Sequence, residues 1–123
     1  MPHLLIVDDD PDARDLLARF LVKAGHECDA VAGGDEALQR VLERVPDLIL
    51  LDVLMPGMDG PTFLGILRSY ARLRYVPVIL LTAAPDSRKT RAAIELGVQA
   101  LLPKAMVTLE AIDRAIADAL RPV

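Results

Sequence analysis

The chain has 123 residues and a formal net charge of -4, and 53% of its residues are hydrophobic. This length suits one domain, which we place at residues 1–123, and the hydrophobic fraction excludes an intrinsically disordered chain. The acidic balance argues against direct nucleic-acid binding, and the longest uncharged run, residues 75–85, is too short to span a membrane. With no signal-peptide pattern and one cysteine, Cys28, which cannot form an internal disulfide, we expect a cytoplasmic protein.

Short apolar runs alternate with longer segments of helical periodicity. The apolar runs predict strands at residues 4–7, 28–31, 48–51, 76–81 and 100–102. The first helix begins at Pro11 behind an Asp10 N-cap, presents an apolar face between residues 13 and 24, and ends at Gly25. The second helix ends at Pro46, and the third contains apolar residues at positions 63, 64, 67 and 70. The fourth spans 86–96, and Thr108 caps the last.

This alternation predicts an α/β fold of three layers, in which helices cover both faces of a doubly wound, five-stranded parallel sheet. The third strand is apolar at every position, as is typical of a strand buried on both faces. The pattern alone leaves the strand order open. Ligands of such sheets usually bind beyond the carboxyl ends of the strands, so polar residues at those ends are the candidates for a functional site.

Polar residues gather at that edge of the predicted sheet. They are Asp8, Asp9 and Asp10 after the first strand, Asp52 after the third, Thr82 after the fourth and Lys104 after the fifth. Carboxylates held close together repel one another, so one takes up a proton or a cation binds among them. Oxygen ligands favour Mg²⁺, and a lysine and a threonine hydroxyl can contact phosphoryl oxygens. The residues at this edge therefore predict a Mg²⁺-assisted phosphoryl site in which an aspartate accepts the phosphoryl group.

Other interpretations of these residues fit less well. The spacing of Asp8, Asp10 and Asp12 resembles the start of an EF-hand loop, but Ala13 replaces its glycine and Arg19 its glutamate. No glycine-rich phosphate loop follows the first strand, which disfavours nucleotide or flavin binding. Phosphatases that form an aspartyl phosphate commonly carry a second aspartate two positions further on. That position is Leu54, which disfavours a turnover enzyme of this type.

The combination of these motifs resembles the receiver domain of bacterial two-component response regulators. The resemblance covers the whole chain and depends on five segments, namely residues 7–10 (Val-Asp-Asp-Asp), 51–52 (Leu-Asp), 55–60 (Met-Pro-Gly-Met-Asp-Gly), 82–83 (Thr-Ala) and Lys104. It implies a flavodoxin-like fold with strand order 2-1-3-4-5, which agrees with the alternation above.

The resemblance also implies roles for individual residues. Asp52 would accept a phosphoryl group from a histidine kinase or a phosphotransfer protein. Asp9, Asp52 and the backbone carbonyl of Leu54 would bind Mg²⁺, and Asp8 would assist through a water molecule. Thr82 and Lys104 would contact the phosphoryl oxygens. The protein would then be a phosphorylated signalling switch that assists its own phosphorylation and is not a turnover enzyme.

Several positions depart from the family pattern. Ala105 replaces the proline that usually follows the lysine, so we expect a trans Lys104–Ala105 bond. Leu101 stands where the family tends to carry an aromatic switch residue. Leu54 and Ala84 occupy the positions that tune hydrolysis of the aspartyl phosphate. Neither can orient water by a hydrogen bond, which predicts slow self-dephosphorylation.

The resemblance implies that the protein passes its signal on by contacting another protein. The family often uses the face formed by the fourth helix, the fifth strand and the fifth helix. A further phosphotransfer step and a homodimer are the other routes. The departures at Leu101 and Ala105 keep an alternative open, a receiver-like interaction module that works without phosphorylation. Away from the site, we expect Cys28 to be buried in its strand and His26 to be exposed.

Overall fold

Strands and helices alternate from residue 3 to residue 120 in a computed structural model that describes residues 1–122. The strands are β1 (His3–Val7), β2 (Glu27–Val31), β3 (Leu48–Asp52), β4 (Val78–Thr82) and β5 (Ala100–Pro103). The helices are α1 (Pro11–Lys23), α2 (Gly34–Glu43), α3 (Gly60–Ser69), α4 (Arg88–Glu95) and α5 (Leu109–Leu120). The predicted alternation of five strands with five helices is confirmed.

The five strands form one parallel sheet in the order β2-β1-β3-β4-β5, which confirms the order that the family resemblance implied. The three central strands are buried at every position, because helices cover them on both faces. The register aligns the strand ends, since Val7 pairs with Leu51, and Thr82 pairs with Pro103. The residues that follow these strands therefore meet at one edge.

The sheet separates two hydrophobic layers. On one face, Phe63 and Val41 belong to a core formed with α2, α3 and α4. On the other face, Leu21 and Ile116 belong to a core formed with α1 and α5. Successive strand residues alternate between the two layers, as the pleat requires. This is the predicted three-layer architecture.

Three element boundaries differ by two residues or more from the predicted ones. β4 begins at Val78 instead of residue 76, because the Val76 N–H donates to the Leu73 carbonyl at 3.2 Å in a turn and Pro77 has no N–H. α4 begins at Arg88 instead of residue 86, because the Ser87 side chain caps it. α2 ends at Glu43, before the proline that was expected to end it.

Two side chains are exposed to a different extent from the prediction, and a third is less buried than expected. Leu16 was expected on the buried face of α1, but 58% of it is exposed, because the sheet covers a narrower arc of the helix than the apolar stripe spans. His26 was expected to be exposed, but its side chain is 13% exposed and its Nε2 lies 2.9 Å from Oδ1 of Asp113 on α5. Cys28 lies in β2 as expected and is partly buried.

Candidate functional site

Three carboxylates meet where β1 and β3 end. Asp8 and Asp9 follow β1, and Asp52 is the last residue of β3. One carboxylate oxygen of each lies within 4.8 Å of the others. Asp8 and Asp52 are buried, whereas Asp9 is exposed, so the cluster is open to solvent on one side. The structure thus brings together the three acids that the sequence indicated.

Lys104 contacts two of these acids. Its Nζ donates to Oδ2 of Asp8 at 2.8 Å and to Oδ2 of Asp52 at 3.3 Å. The backbone N–H of Lys104 donates to the Thr82 carbonyl at 2.8 Å, which continues the β4–β5 pairing past the end of β5. The peptide bond to Ala105 is trans, as expected. Lys104 therefore reaches the cluster without the proline that the family usually has.

The electrostatics of the cluster follow from its burial. Burial, together with the negative charges of Asp8 and Asp9, raises the pKa of Asp52 to about 6. The positive charge of Lys104 lowers this pKa and only partly offsets the other effects. Burial by itself would lower the pKa of Lys104, but its bonds to Asp8 and Asp52 outweigh this and raise it. The three carboxylates together carry more negative charge than Lys104 alone offsets.

Thr82 lies fully buried at the end of β4. Its Oγ1 accepts a hydrogen bond from the Ala84 N–H at 3.0 Å, so the hydroxyl proton is still available as a donor. The Ala84 carbonyl in turn accepts from Oγ1 of Thr90 on α4 at 2.8 Å, and Ser87 donates to that hydroxyl at 2.9 Å. A short polar chain thus connects Thr82 to the first turn of α4.

The remaining predicted residues lie around the cluster. The Asp10 side chain accepts from the Asp12 N–H at 3.0 Å, which confirms Asp10 as the cap of α1. The Val53 carbonyl accepts from the Gly60 N–H at 2.9 Å, so the chain turns directly after Asp52. Leu54 follows in this turn and is 42% exposed.

Two contacts near the site were missed from the sequence. Arg14, on the first turns of α1, donates from Nη1 to the Asp8 carbonyl at 2.7 Å. Asp59 caps α3 through the Thr62 N–H at 3.0 Å, and its other oxygen lies 3.0 Å from Nζ of Lys89 on α4. The position of Arg14 in α1 was a usable signal, because that side chain follows the acids by about one turn. No local pattern indicates the contact between Asp59 and Lys89, which are far apart in the sequence.

The match to known proteins covers nearly the whole chain. A family model described as "Response regulator receiver domain" matches residues 4–117. The chain belongs to this family. Receiver domains of this family are phosphoacceptor signalling modules of two-component systems, which bind Mg²⁺ in an acidic pocket and interact with histidine kinases or phosphotransfer proteins.

Individual relatives agree with the family match. This receiver domain is 35% identical over 111 residues to the transcriptional regulatory protein GltR of Pseudomonas aeruginosa, covering 90% of this chain and 46% of GltR. It is similar to the structure of chemotaxis protein CheY4 of Vibrio cholerae, at 28% identity and a TM-score of 0.90, covering 98% of this chain and 99% of that one. It is also similar to the structure of the receiver domain of a histidine kinase from Syntrophus aciditrophicus, at 32% identity and a TM-score of 0.88. That match covers 98% of this chain and 90% of the other.

The receiver domain spans less than half of the length of GltR. Across residues 1–122, no helix has the length and the hydropathy that a membrane span needs.

Proposed function

We propose that this receiver domain accepts a phosphoryl group on Asp52 from a histidine kinase or a phosphotransfer protein, with Mg²⁺ bound beside it. The observation that carries the proposal is the position of the Asp52 carboxylate. It lies 3.3 Å from Nζ of Lys104 and within 4.8 Å of the oxygens of Asp8 and Asp9. In this arrangement the Asp52 oxygen that we propose as the acceptor lies next to a cation and next to further carboxylates that can bind a metal ion.

The donor set fits Mg²⁺. All three side chains offer hard carboxylate oxygens, and the exposed side of Asp9 leaves room for water and phosphate ligands. We propose Asp9, Asp52 and the backbone carbonyl of Leu54 as ligands, with Asp8 acting through water. Bound Mg²⁺ would supply positive charge that offsets the repulsion between carboxylate and phosphoryl oxygens.

The proposed transfer is a substitution at phosphorus. An Oδ atom of Asp52 forms the new O–P bond while the P–N bond to the donor histidine breaks, and the histidine leaves with the electron pair of that bond. Lys104, which is held between Asp8 and Asp52, pairs with one phosphoryl oxygen. The Thr82 hydroxyl donates to another. The product is an aspartyl phosphate.

Output is proposed to begin at Thr82. If its hydroxyl turns towards the phosphoryl group, its bond to the Ala84 N–H weakens, and the contact from Ala84 to Thr90 changes with it. The affected elements are the loop after β4 and the face of α4, β5 and α5. We propose that this face contacts the downstream protein or a second copy of the chain. We also propose that residues 1–123 form one receiver unit that acts in the cytoplasm.

The proposed function is tested by intact mass after incubation with acetyl phosphate and Mg²⁺. We expect one added phosphoryl group on the wild-type protein and none on Asp52→Asn. EDTA should also abolish the addition. An added phosphoryl group on Asp52→Asn would refute Asp52 as the acceptor. The adduct should decay slowly, because Leu54 and Ala84 cannot orient a water, and a half-life of seconds would contradict this.

A second function is favoured by one observation, the leucine at position 101. Leu101 packs against the buried core, so no aromatic side chain is available there to move with phosphorylation. The alternative is an interaction module that works without phosphorylation. If neither acetyl phosphate nor beryllofluoride binds at Asp52, the alternative is supported and the phosphoryl-acceptor proposal fails.

A further inference from the structure

Charge is unevenly distributed along this acidic chain. Between residues 60 and 94 there is one acidic residue, Asp86, whereas the rest of the chain holds 17 acidic and eight basic residues. The six basic residues of that segment are Arg68, Arg72, Arg74, Arg88, Lys89 and Arg91. Because α3 and α4 pack on the same face of the sheet, the structure has a basic side on an acidic protein.

A cleft lies on this side at the amino end of the sheet, away from the Asp52 cluster. The segment between α3 and β4 forms one wall, and the turn between α4 and β5 forms the other. The cleft has a volume of about 420 Å³. Its lining includes Arg68, Arg74, Tyr75, Val76, Leu96 and Val98. It therefore combines an apolar floor with two guanidinium groups.

Arg68 gives the cleft a fixed positive charge. Its Nη1 donates to the carbonyls of Arg74 at 2.9 Å and Val76 at 2.7 Å, and its Nη2 donates to the carbonyl of Gly97 at 2.8 Å. These bonds connect the two walls. Within the described residues no carboxylate forms an ion pair with Arg68, and burial lowers the pKa of its guanidinium. A partly buried cation without a counter-charge favours an anionic ligand.

The rim of the cleft is exposed. Tyr75 is 84% exposed, and Leu96 at the opposite wall is 40% exposed. Arg74, which also lines the cleft, is exposed. Large apolar and aromatic groups beside arginine are typical of the centre of a protein–protein contact.

We propose that this cleft binds an acidic peptide segment of a partner protein, with an apolar side chain in the cleft and carboxylates against Arg68 and Arg74. The pairing of an apolar floor with cationic walls suits a segment that alternates carboxylates with an aromatic or leucine side chain. The proposal concerns the edge opposite the Asp52 cluster, so it does not depend on phosphorylation.

A peptide fits the surface better than a nucleic acid. A nucleic acid presents a long row of phosphates and needs an extended basic surface to bind it. Here the cleft contains two arginines, and the molecule carries a net charge of -4, which repels a long polyanion. A short acidic segment contacts the cleft and extends little beyond it.

The test is fluorescence anisotropy at low salt with a fluorescein-labelled peptide of sequence DEDFLDED. Two control peptides, DEDSGDED and KKKFLKKK, separate the contributions of the apolar side chains and the charge. A labelled oligo-dT strand serves as the nucleic-acid probe. The variants are Arg74→Glu and Tyr75→Ala, both at exposed side chains, and Arg114→Glu, a matched charge reversal on α5.

We expect saturable binding of DEDFLDED that Arg74→Glu weakens about tenfold and Tyr75→Ala about threefold, with little effect of Arg114→Glu. Binding of DEDSGDED should be weaker, and KKKFLKKK should not bind. Amide NMR shifts on titration should map to residues 68–76 and 96–99. The proposal is overturned by absent binding, by equal weakening in Arg114→Glu, or by Arg74-dependent binding of oligo-dT that exceeds peptide binding.

Discussion

Replacing Asp52 by asparagine should stabilise the metal-free protein at alkaline pH. Burial and the neighbouring carboxylates raise the pKa of Asp52 from 3.8 to about 6 in the folded state. The charged form is therefore less favourable in the folded chain than in the unfolded chain. The destabilisation is absent below pH 3.8, grows as the pH rises to about 6, and is complete above that.

The size of the effect follows from that shift. A displacement of about two pH units corresponds to about 3 kcal/mol of unfolding free energy at pH 8. At pH 5 about half of this is expected, because folded Asp52 is then mostly protonated while unfolded Asp52 is ionised. Asparagine removes the charge and keeps an oxygen that can accept from Lys104. The expected gain at pH 8 is thus about 1–3 kcal/mol, or roughly 4–12 °C in Tm.

The assay is urea unfolding of wild type and Asp52→Asn at pH 5 and pH 8, with EDTA present. Asp86→Asn, at an exposed carboxylate, is the control and should change little at either pH. Added Mg²⁺ should stabilise wild type more than Asp52→Asn. If Asp52→Asn is less stable than wild type at pH 8, or if its gain is the same at both pH values, the electrostatic reasoning is wrong.

Variants at three other residues test the surroundings of the site. Lys104→Met leaves two buried carboxylates without their cation and should lower the unfolding free energy at pH 8 by about 1–2 kcal/mol. Added Mg²⁺ should restore part of this loss, as measured by urea unfolding. Asp59→Ala should cost about 1 kcal/mol at pH 7 by removing the cap of α3, whereas Asp59→Asn keeps the cap, loses the charge that faces Lys89, and should cost less than Asp59→Ala. Since hydrogen bonds from Thr62 and the charge of Lys89 outweigh burial and lower the pKa of Asp59, the difference between Asp59→Ala and wild type should shrink as the pH falls below about 4. In Gly60→Ala the added Cβ would lie 2.8 Å from the Asp52 carbonyl oxygen, so thermal unfolding should show a loss of about 1–3 kcal/mol and calorimetry weaker Mg²⁺ binding.

The fold was predictable because its signals are local. Apolar runs, the Asp10–Pro11 start of α1 and the Thr108 cap of α5 each depend on residues a few positions apart. The strand order is different in kind, because it depends on which strands meet across the sheet, and the resemblance to a family supplied it. The boundary of β4 was missed because the bond between Val76 and Leu73 forms a turn that an apolar run does not reveal.

The acids of the site were predictable from their place at strand ends, since parallel strands bring those ends together. The family pattern does not by itself predict the lysine contact, because Ala105 departs from that pattern, yet Nζ of Lys104 reaches both Asp8 and Asp52. The contacts of Arg68 with Gly97 and of His26 with Asp113 could not be predicted. They join residues far apart in sequence, and only the folded chain determines which carbonyl or carboxylate lies within reach.

The most direct test of the central claim is the position of the phosphoryl group after reaction with acetyl phosphate and Mg²⁺. Borohydride reduces an aspartyl phosphate to homoserine, and the homoserine identifies the modified residue in peptide mass spectrometry. The proposed function predicts homoserine at position 52 and at no other aspartate. Homoserine at Asp8 or Asp9, or phosphate retained on a serine or threonine, would contradict it.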